Sequence, residues 1–242
     1  MALEQADLTV STDPVGHETL RRMADVDHYN AWIARLIRPF VGRRVVEVGC
    51  GIGNMTGYFL DADLVCAFDL LPESAEWVGA KFAAQPQVHV QQGDICDAAF
   101  VATLVHHRFD TVVSINMLEH VADDQHALGQ MYRLVEPGGH LLLFVPAGSY
   151  LFGSLDRALG HYRRYDRPHL AAQVQAAGFT LEHLYYVNLL GVAGWWLNSR
   201  VLRRHLLPKG QLRSFNALAP LLQALEQRRR PPFGQSLLCV AR

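Results

Sequence analysis

The run Val45-Val46-Glu47-Val48-Gly49-Cys50-Gly51-Ile52-Gly53 passes from β-branched residues straight into three alternating glycines, the pattern of a buried strand that ends in a tight loop. Glycine tolerates the positive φ of such a turn and lets backbone approach a ligand closely. In a doubly wound α/β sheet the ligand sits beyond the carboxyl ends of the strands, so this unit marks a binding crevice. The chain then repeats the unit. Apolar, β-branched runs at 44–48, 64–68, 88–91, 111–115 and 141–145 read as strands, and 54–60, 72–84, 98–105 and 124–135 read as the helices between them. Beyond Pro146 a helix is expected at 166–177, stopped by Gly178, with strands at 181–187 and 236–241. Upstream, residues 1–14 read as a polar tail, and helically spaced apolar positions over 18–40 predict two helices closed by Pro39.

With 242 residues, half of them apolar, the chain is long enough for one large domain or a core with an elaboration, and a disordered or fibrous reading is excluded. It shows no signal-peptide order and no run of about 18 uncharged apolar residues, so a cytoplasmic location is expected. Cys50, Cys66, Cys96 and Cys239 form no close pair, and His106-His107 reads as a solvated surface turn, so no residue is assigned to a metal. The net charge of −1 hides a division. Residues 1–150 hold nine Lys+Arg against nineteen Asp+Glu, and residues 151–242 hold thirteen against four. The basic third is either a solvated face or an attractor for an anionic substrate, a membrane surface or nucleic acid.

A dinucleotide fingerprint would need a third glycine where Asn54 stands. The spacing found, with Glu47 two residues before Gly49, resembles instead the first motif of the class I methyltransferases that use S-adenosylmethionine (SAM). Asp69 ends the second strand, where a carboxylate can accept both ribose hydroxyls. Gln92-Gly93-Asp94-Ile95, Asn116-Met117-Leu118-Glu119-His120-Val121 and Leu134-Val135-Glu136-Pro137-Gly138-Gly139 match later motifs of that family in order. The resemblance implies a Rossmann-like α/β fold: a seven-stranded, mostly parallel sheet sandwiched by helices, its last strand antiparallel. It divides the chain into a helical N-terminal cap (1–40), a SAM-binding core (41–188), a helical insertion or lid (189–234) and a final core strand (235–242). It also places Glu47 near the methionine amino group, Gly49, Cys50, Gly51 and Gly53 along methionine and ribose, and Asp69 and Leu70 at the ribose. Asp94, Ile95, Asn116 and Met117 fall to the adenosine side, and Tyr29 either contacts the methionine end or is a core aromatic. S-adenosylhomocysteine would be the product.

Methyl transfer from a sulfonium is an in-line displacement in which much of the work is aligning the acceptor, and an alcohol acceptor also needs a base. His120, after the fourth strand, and His161, in Leu159-Gly160-His161-Tyr162-Arg163-Arg164-Tyr165, are the candidates. The stretch 156–165 resembles a block found in small bacterial methyltransferases of the type-11/type-12 kind. Arg163 and Arg164 are read either as a grip on an anionic acceptor or as partners of Asp156 or Asp166. Trp195-Trp196, followed by Arg200, Arg203, Arg204 and Lys209, has the order of an interfacial helix, so Trp195 joins the acceptor residues and a lipid-like acceptor with peripheral membrane contact is expected. The function expected is O-methylation of a small anionic or amphiphilic molecule. N- or C-methylation and a SAM-holding protein without turnover stay open; an NAD-dependent oxidoreductase lacks its third glycine. Nucleic acid is disfavoured, because Asn116-Met117-Leu118-Glu119 replaces the Asn-Pro-Pro-aromatic tetrapeptide of amino-methylating nucleic-acid enzymes.

Overall fold

A computed structural model describes residues 14–242. The strands are β1 (Arg44–Val48), β2 (Leu64–Asp69), β3 (Val88–Gln92), β4 (Phe109–Ile115), β5 (Val135–Pro146), β6 (Leu181–Val187) and β7 (Ser236–Ala241). They form one sheet in the order β3-β2-β1-β4-β5-β7-β6. Parallel ladders join β1 to β5, and β7 runs antiparallel between β5 and β6, so six strands share one direction. The chain winds outward from β1 to β3 and then restarts beyond β1 at β4. The crevice therefore opens between the carboxyl ends of β1 and β4.

Side chains alternate across a strand, so each strand feeds two cores. Val46 and Val48 face α4 (Ala98–Leu104), α5 (Asp124–Leu134) and α7 (Arg167–Ala176) through Val101, Leu128, Leu170 and Val174. Val45, Val65, Val113 and Phe144 face α2 (Asp27–Ile37) through Trp32, Ile33 and Ile37. Full burial of side chains this large contributes about 1.5–3 kcal/mol each, which ties the helical layers to the sheet. On the second face α3 (Pro72–Lys81) packs Val78 on Ala67 and Cys50, close under the glycine loop.

Two expectations change in detail. Residues 54–60 form only a 3₁₀ turn at Thr56–Phe59: Gly57 is a poor helix residue, the Thr56 hydroxyl is engaged by Glu47, and the chain must return to β2 at Leu64. The Pro137-Gly138-Gly139 turn lies inside β5 as a bulge, between the Phe109–Val135 and Thr111–His140 pairs. Of the expected polar tail, residues 1–13 lie outside the described residues, and Pro14 opens α1 (Pro14–Ala24). Between β5 and β6 stands α6 (Ser154–Ala158); between β6 and β7 run α8 (Leu189–Trp196), a π-helical turn (Leu197–Val201) and α9 (Lys209–Arg228). Asn216 and Gln223 of α9 bond the backbone of His28 in α2, while Glu226 accepts the N–H groups of Asn188 and Leu189 at the start of α8. None of the described helices is long and apolar enough to cross a membrane.

Candidate active site

The loop after β1 takes positive φ at Gly49, Gly51 and Gly53. Gly49 and Cys50 donate to the Phe68 carbonyl, and Lys81 Nζ donates to the Gly53 carbonyl at 2.9 Å, so β2 and α3 hold the loop from both sides. A Cβ on Gly49 would stand 2.2 Å from Met117 Cγ, which makes the gap between loop and β4 turn a cradle only glycine leaves open. Helix α1 closes the outer side: Leu20 lies against Gly51, and the Asn54 amide donates to the Leu20 carbonyl at 3.1 Å.

Two carboxylates face this cradle. Asp69 accepts from Gly51 N at 2.8 Å and Leu71 N at 3.0 Å, yet burial raises its pKa. Each oxygen retains a lone pair for a ribose hydroxyl. Glu47 is buried and accepts from the Thr56 hydroxyl at 2.6 Å; burial pushes its pKa up to about 8. A buried acid in that state favours a cation beside it, and the amino group of a methionine moiety supplies one. Exposed Leu70, at the end of β2, and exposed Asp94, which bonds Cys96 N, stand on the same edge of the sheet, whereas Ile95 is packed into the core. Asn116 adopts φ 50° where the chain leaves β4. These residues fit SAM: a glycine cradle, an acid at each end and an apolar flank. Tyr29 is buried among Trp32, Phe144 and Phe215, its hydroxyl beside Ser236 and Asn188, as a core aromatic would be.

Across the crevice the site is made of side chains. The turn Leu118–His120 follows β4, and residues 161–165 run along it: Tyr162 N donates to Glu119 O at 2.8 Å and the Tyr165 hydroxyl to Asp124 at 2.8 Å. At its centre Asp156, fully buried, accepts from Arg164 Nε at 2.7 Å, Gly153 N at 2.9 Å and Trp195 Nε1 at 3.2 Å, and pairs with His161 Nδ1 at 3.0 Å. Burial opposes its charge, but His161 and Arg164 outweigh burial and hold the carboxyl below its usual range. With Nδ1 fixed by that acid, His161 turns Nε2 toward Glu119 Oε1, 4.0 Å away. Glu119 is buried, and burial lifts its pKa to about 7. The His120 ring meets the His161 ring edge-on at 4.7 Å; it opens to solvent on one side, yet the surrounding protein and His161 push its pKa down, leaving it neutral.

The arginines expected at the acceptor are held by the protein itself. Arg163 pairs with Asp124 at 2.6 Å, and buried Arg164 bonds Asp156 and the Ala147 carbonyl while lying 4.4 Å from the Trp195 ring. Trp195 is the inward member of its pair, and Trp196 is half exposed. Asp156 and Glu119 are the chemically important residues that sequence reasoning left out of the site. Glu119 stands between Leu118 and His120, and Asp156 between Leu155 and Arg157; an acid next to an apolar residue on one side and a basic one on the other is the signal that would have found them.

A family model described as "Methyltransferase domain" matches residues 17–184. A ubiquinone biosynthesis O-methyltransferase of Ralstonia nicotianae is 31% identical over 169 residues, covering 63% of this chain and 71% of the relative. A probable S-adenosylmethionine-dependent methyltransferase of Mycolicibacterium smegmatis is 27% identical over 151 residues, 61% of this chain and 56% of the relative. Among solved structures, an S-adenosylmethionine-dependent methyltransferase of Mesorhizobium loti superposes with a TM-score of 0.55 at 18% identity, covering 86% of this chain and 95% of that one. The trans-methyltransferase CalH in complex with S-adenosylhomocysteine gives 0.58 at 17% identity, covering 92% and 58%; at such identities these two matches speak for the fold. The chain belongs to the methyltransferase domain family, as an enzyme of class I fold whose methyl donor is S-adenosylmethionine.

Proposed function

We propose that the protein methylates an oxygen of a small amphiphilic or anionic molecule, with the acceptor seated against Glu119, His120 and His161. The observation that carries this reading is the buried Asp156–His161 pair, which turns Nε2 toward Glu119 at the β4 turn. SAM supplies an electrophilic methyl carbon on a sulfonium. Asp69 holds the nucleoside, Glu47 the amino end, and the glycine backbone sets the depth at which the donor lies. The histidine–carboxylate group receives the hydroxyl proton as the acceptor oxygen lines up, and Asp156 and Arg164 keep that group in register. For Arg163, Arg164 and Trp195 the contacts above support building the acceptor wall rather than gripping the acceptor.

The acceptor's amphiphilic character is supported by exposed Leu190, Trp196, Leu197, Val201 and Leu202, which stand beside exposed Arg200, Arg203 and Arg204. That combination suits an anionic lipid surface, where a long-chain acceptor would be presented. The ubiquinone biosynthesis O-methyltransferases among the relatives agree with an oxygen acceptor. The test is S-adenosylhomocysteine release with catechols, hydroxybenzoates, prenylated phenols and amines as acceptors, with and without anionic vesicles. Turnover with amines alone would overturn the oxygen assignment.

A further inference from the structure

Glu119 Oε2 is buried and, among the described residues, finds no hydrogen-bond partner. An unpaired buried carboxylate oxygen is costly, and such a group marks a place where something else binds. The rest of the surroundings match that need. Glu119, His120 and His161 each present one donor atom, and these atoms all lie within 4.8 Å of one another. His161 Nδ1 is taken by Asp156, which leaves Nε2 as the free donor and repeats the carboxylate–histidine arrangement that orients metal-binding imidazoles.

We propose that Glu119, His120 and His161 bind a divalent transition-metal ion, with Asp156 as the positioning acid behind His161. This inference rests on the acceptor reading above and replaces its proton step: with Nε2 on the ion, His161 is a ligand rather than the base, and the proton leaves to solvent. Two imidazole nitrogens and one carboxylate oxygen suit Zn²⁺ or Mn²⁺ and leave coordination positions open. With metal–ligand bonds of about 2.0–2.2 Å, donors about 3.4 Å apart would close a tetrahedral face. The trio reaches this by drawing in by up to about 1.4 Å from its spread of up to 4.8 Å. An acceptor hydroxyl entering an open position loses its proton to solvent more readily, because the ion lowers its pKa. The oxygen lone pair then forms the O–CH₃ bond, the S–CH₃ bond breaks, and its electron pair stays on sulfur. One proton is released, and no oxidant is consumed.

The experiment is calorimetric titration of chelator-treated full-length protein with ZnCl₂, MnCl₂ and MgCl₂ in turn. Expected is one site per chain for Zn²⁺ or Mn²⁺, weakened at least about 100-fold in Glu119→Gln and in His120→Asn. Loss of an orienting acid costs metal sites about 10–100-fold, which sets the expectation for Asp156→Asn. His120→Asn changes a side chain open to solvent and keeps the test available should Glu119→Gln or Asp156→Asn not fold; thermal melting and SAM titration report folding for each variant. A double His106→Ala, His107→Ala variant must bind as the parent does, since that surface pair is the competing place for zinc. Absence of saturable binding by any of the three ions below about 1 mM, or binding that survives both Glu119→Gln and His120→Asn, overturns the site. Metal binding without SAM binding would keep the site and overturn the methyltransfer reading. SAM-dependent turnover untouched by chelator would do the reverse.

Discussion

The two walls of the crevice are made of different material. The wall proposed to hold the donor is backbone: three glycines at positive φ, held by main-chain bonds to β2 and by Lys81, with Glu47 and Asp69 as its two side-chain acids. The acceptor wall is side chain: Asp156 alone is bonded by groups from residues 153, 161, 164 and 195. A backbone cradle is specified by a short contiguous motif and suits a donor that never changes. A side-chain wall is assembled from scattered positions, so it can be respecified one residue at a time, at the cost of burying charges that must pair.

The sharpest way to break that contrast is Asp156→Ala. It leaves buried Arg164 without its acid, a loss that costs about 3–5 kcal/mol, readable as a shifted denaturant midpoint. A variant as stable as the parent would mean the acceptor wall does not depend on this node. His161→Ala comes next: turnover should fall about 10²–10⁴-fold with SAM affinity kept. Equal losses of turnover and SAM affinity would merge the two walls into one. Asp69→Ala should do the opposite, weakening SAM binding by about 1–3 kcal/mol with the fold intact.

The smallest effect is protonic. The unfolded chain's Glu47 has an ordinary carboxyl pKa, while in the free protein burial raises it to about 8. The stability this tighter proton binding contributes is fully present below about pH 4.5 and is lost as pH rises through about 8. Pairing with the donor's ammonium group favours the carboxylate, so SAM binding at pH 7 should release up to about one proton, seen as a buffer-dependent enthalpy. Glu47→Gln should abolish the release, and a buffer-independent enthalpy in the parent would remove Glu47 from the donor wall.

The same contrast decides what could be read from sequence. Strand positions and the glycine loop were legible because each is a local pattern, a β-branched run or alternating glycines, whereas the antiparallel final strand followed from the family resemblance. The turn at residues 54–60 was misread as a helix because its short path back to β2 and the Thr56–Glu47 bond are tertiary facts. Arg163 and Arg164 looked alike in sequence, yet they point to different acids, Asp124 and Asp156, whose places depend on how residues 153–165 fold over the β4 turn. The Glu119–His120–His161 grouping crosses 42 positions of chain between its first and last members, and no spacing rule announces it.

The contact between Gly49 and Met117 also bears on how this sequence can drift. A side chain at position 49 would meet both Met117 Cγ and, at 2.8 Å, Met117 Cβ, an atom every residue but glycine carries. Trimming Met117 to alanine therefore does not make room, and φ 77° would strain any newcomer besides. Only glycine at position 117 would clear that clash, and it would leave the strained φ untouched, so descendants of this chain can wander over the acceptor wall while remaining pinned at Gly49.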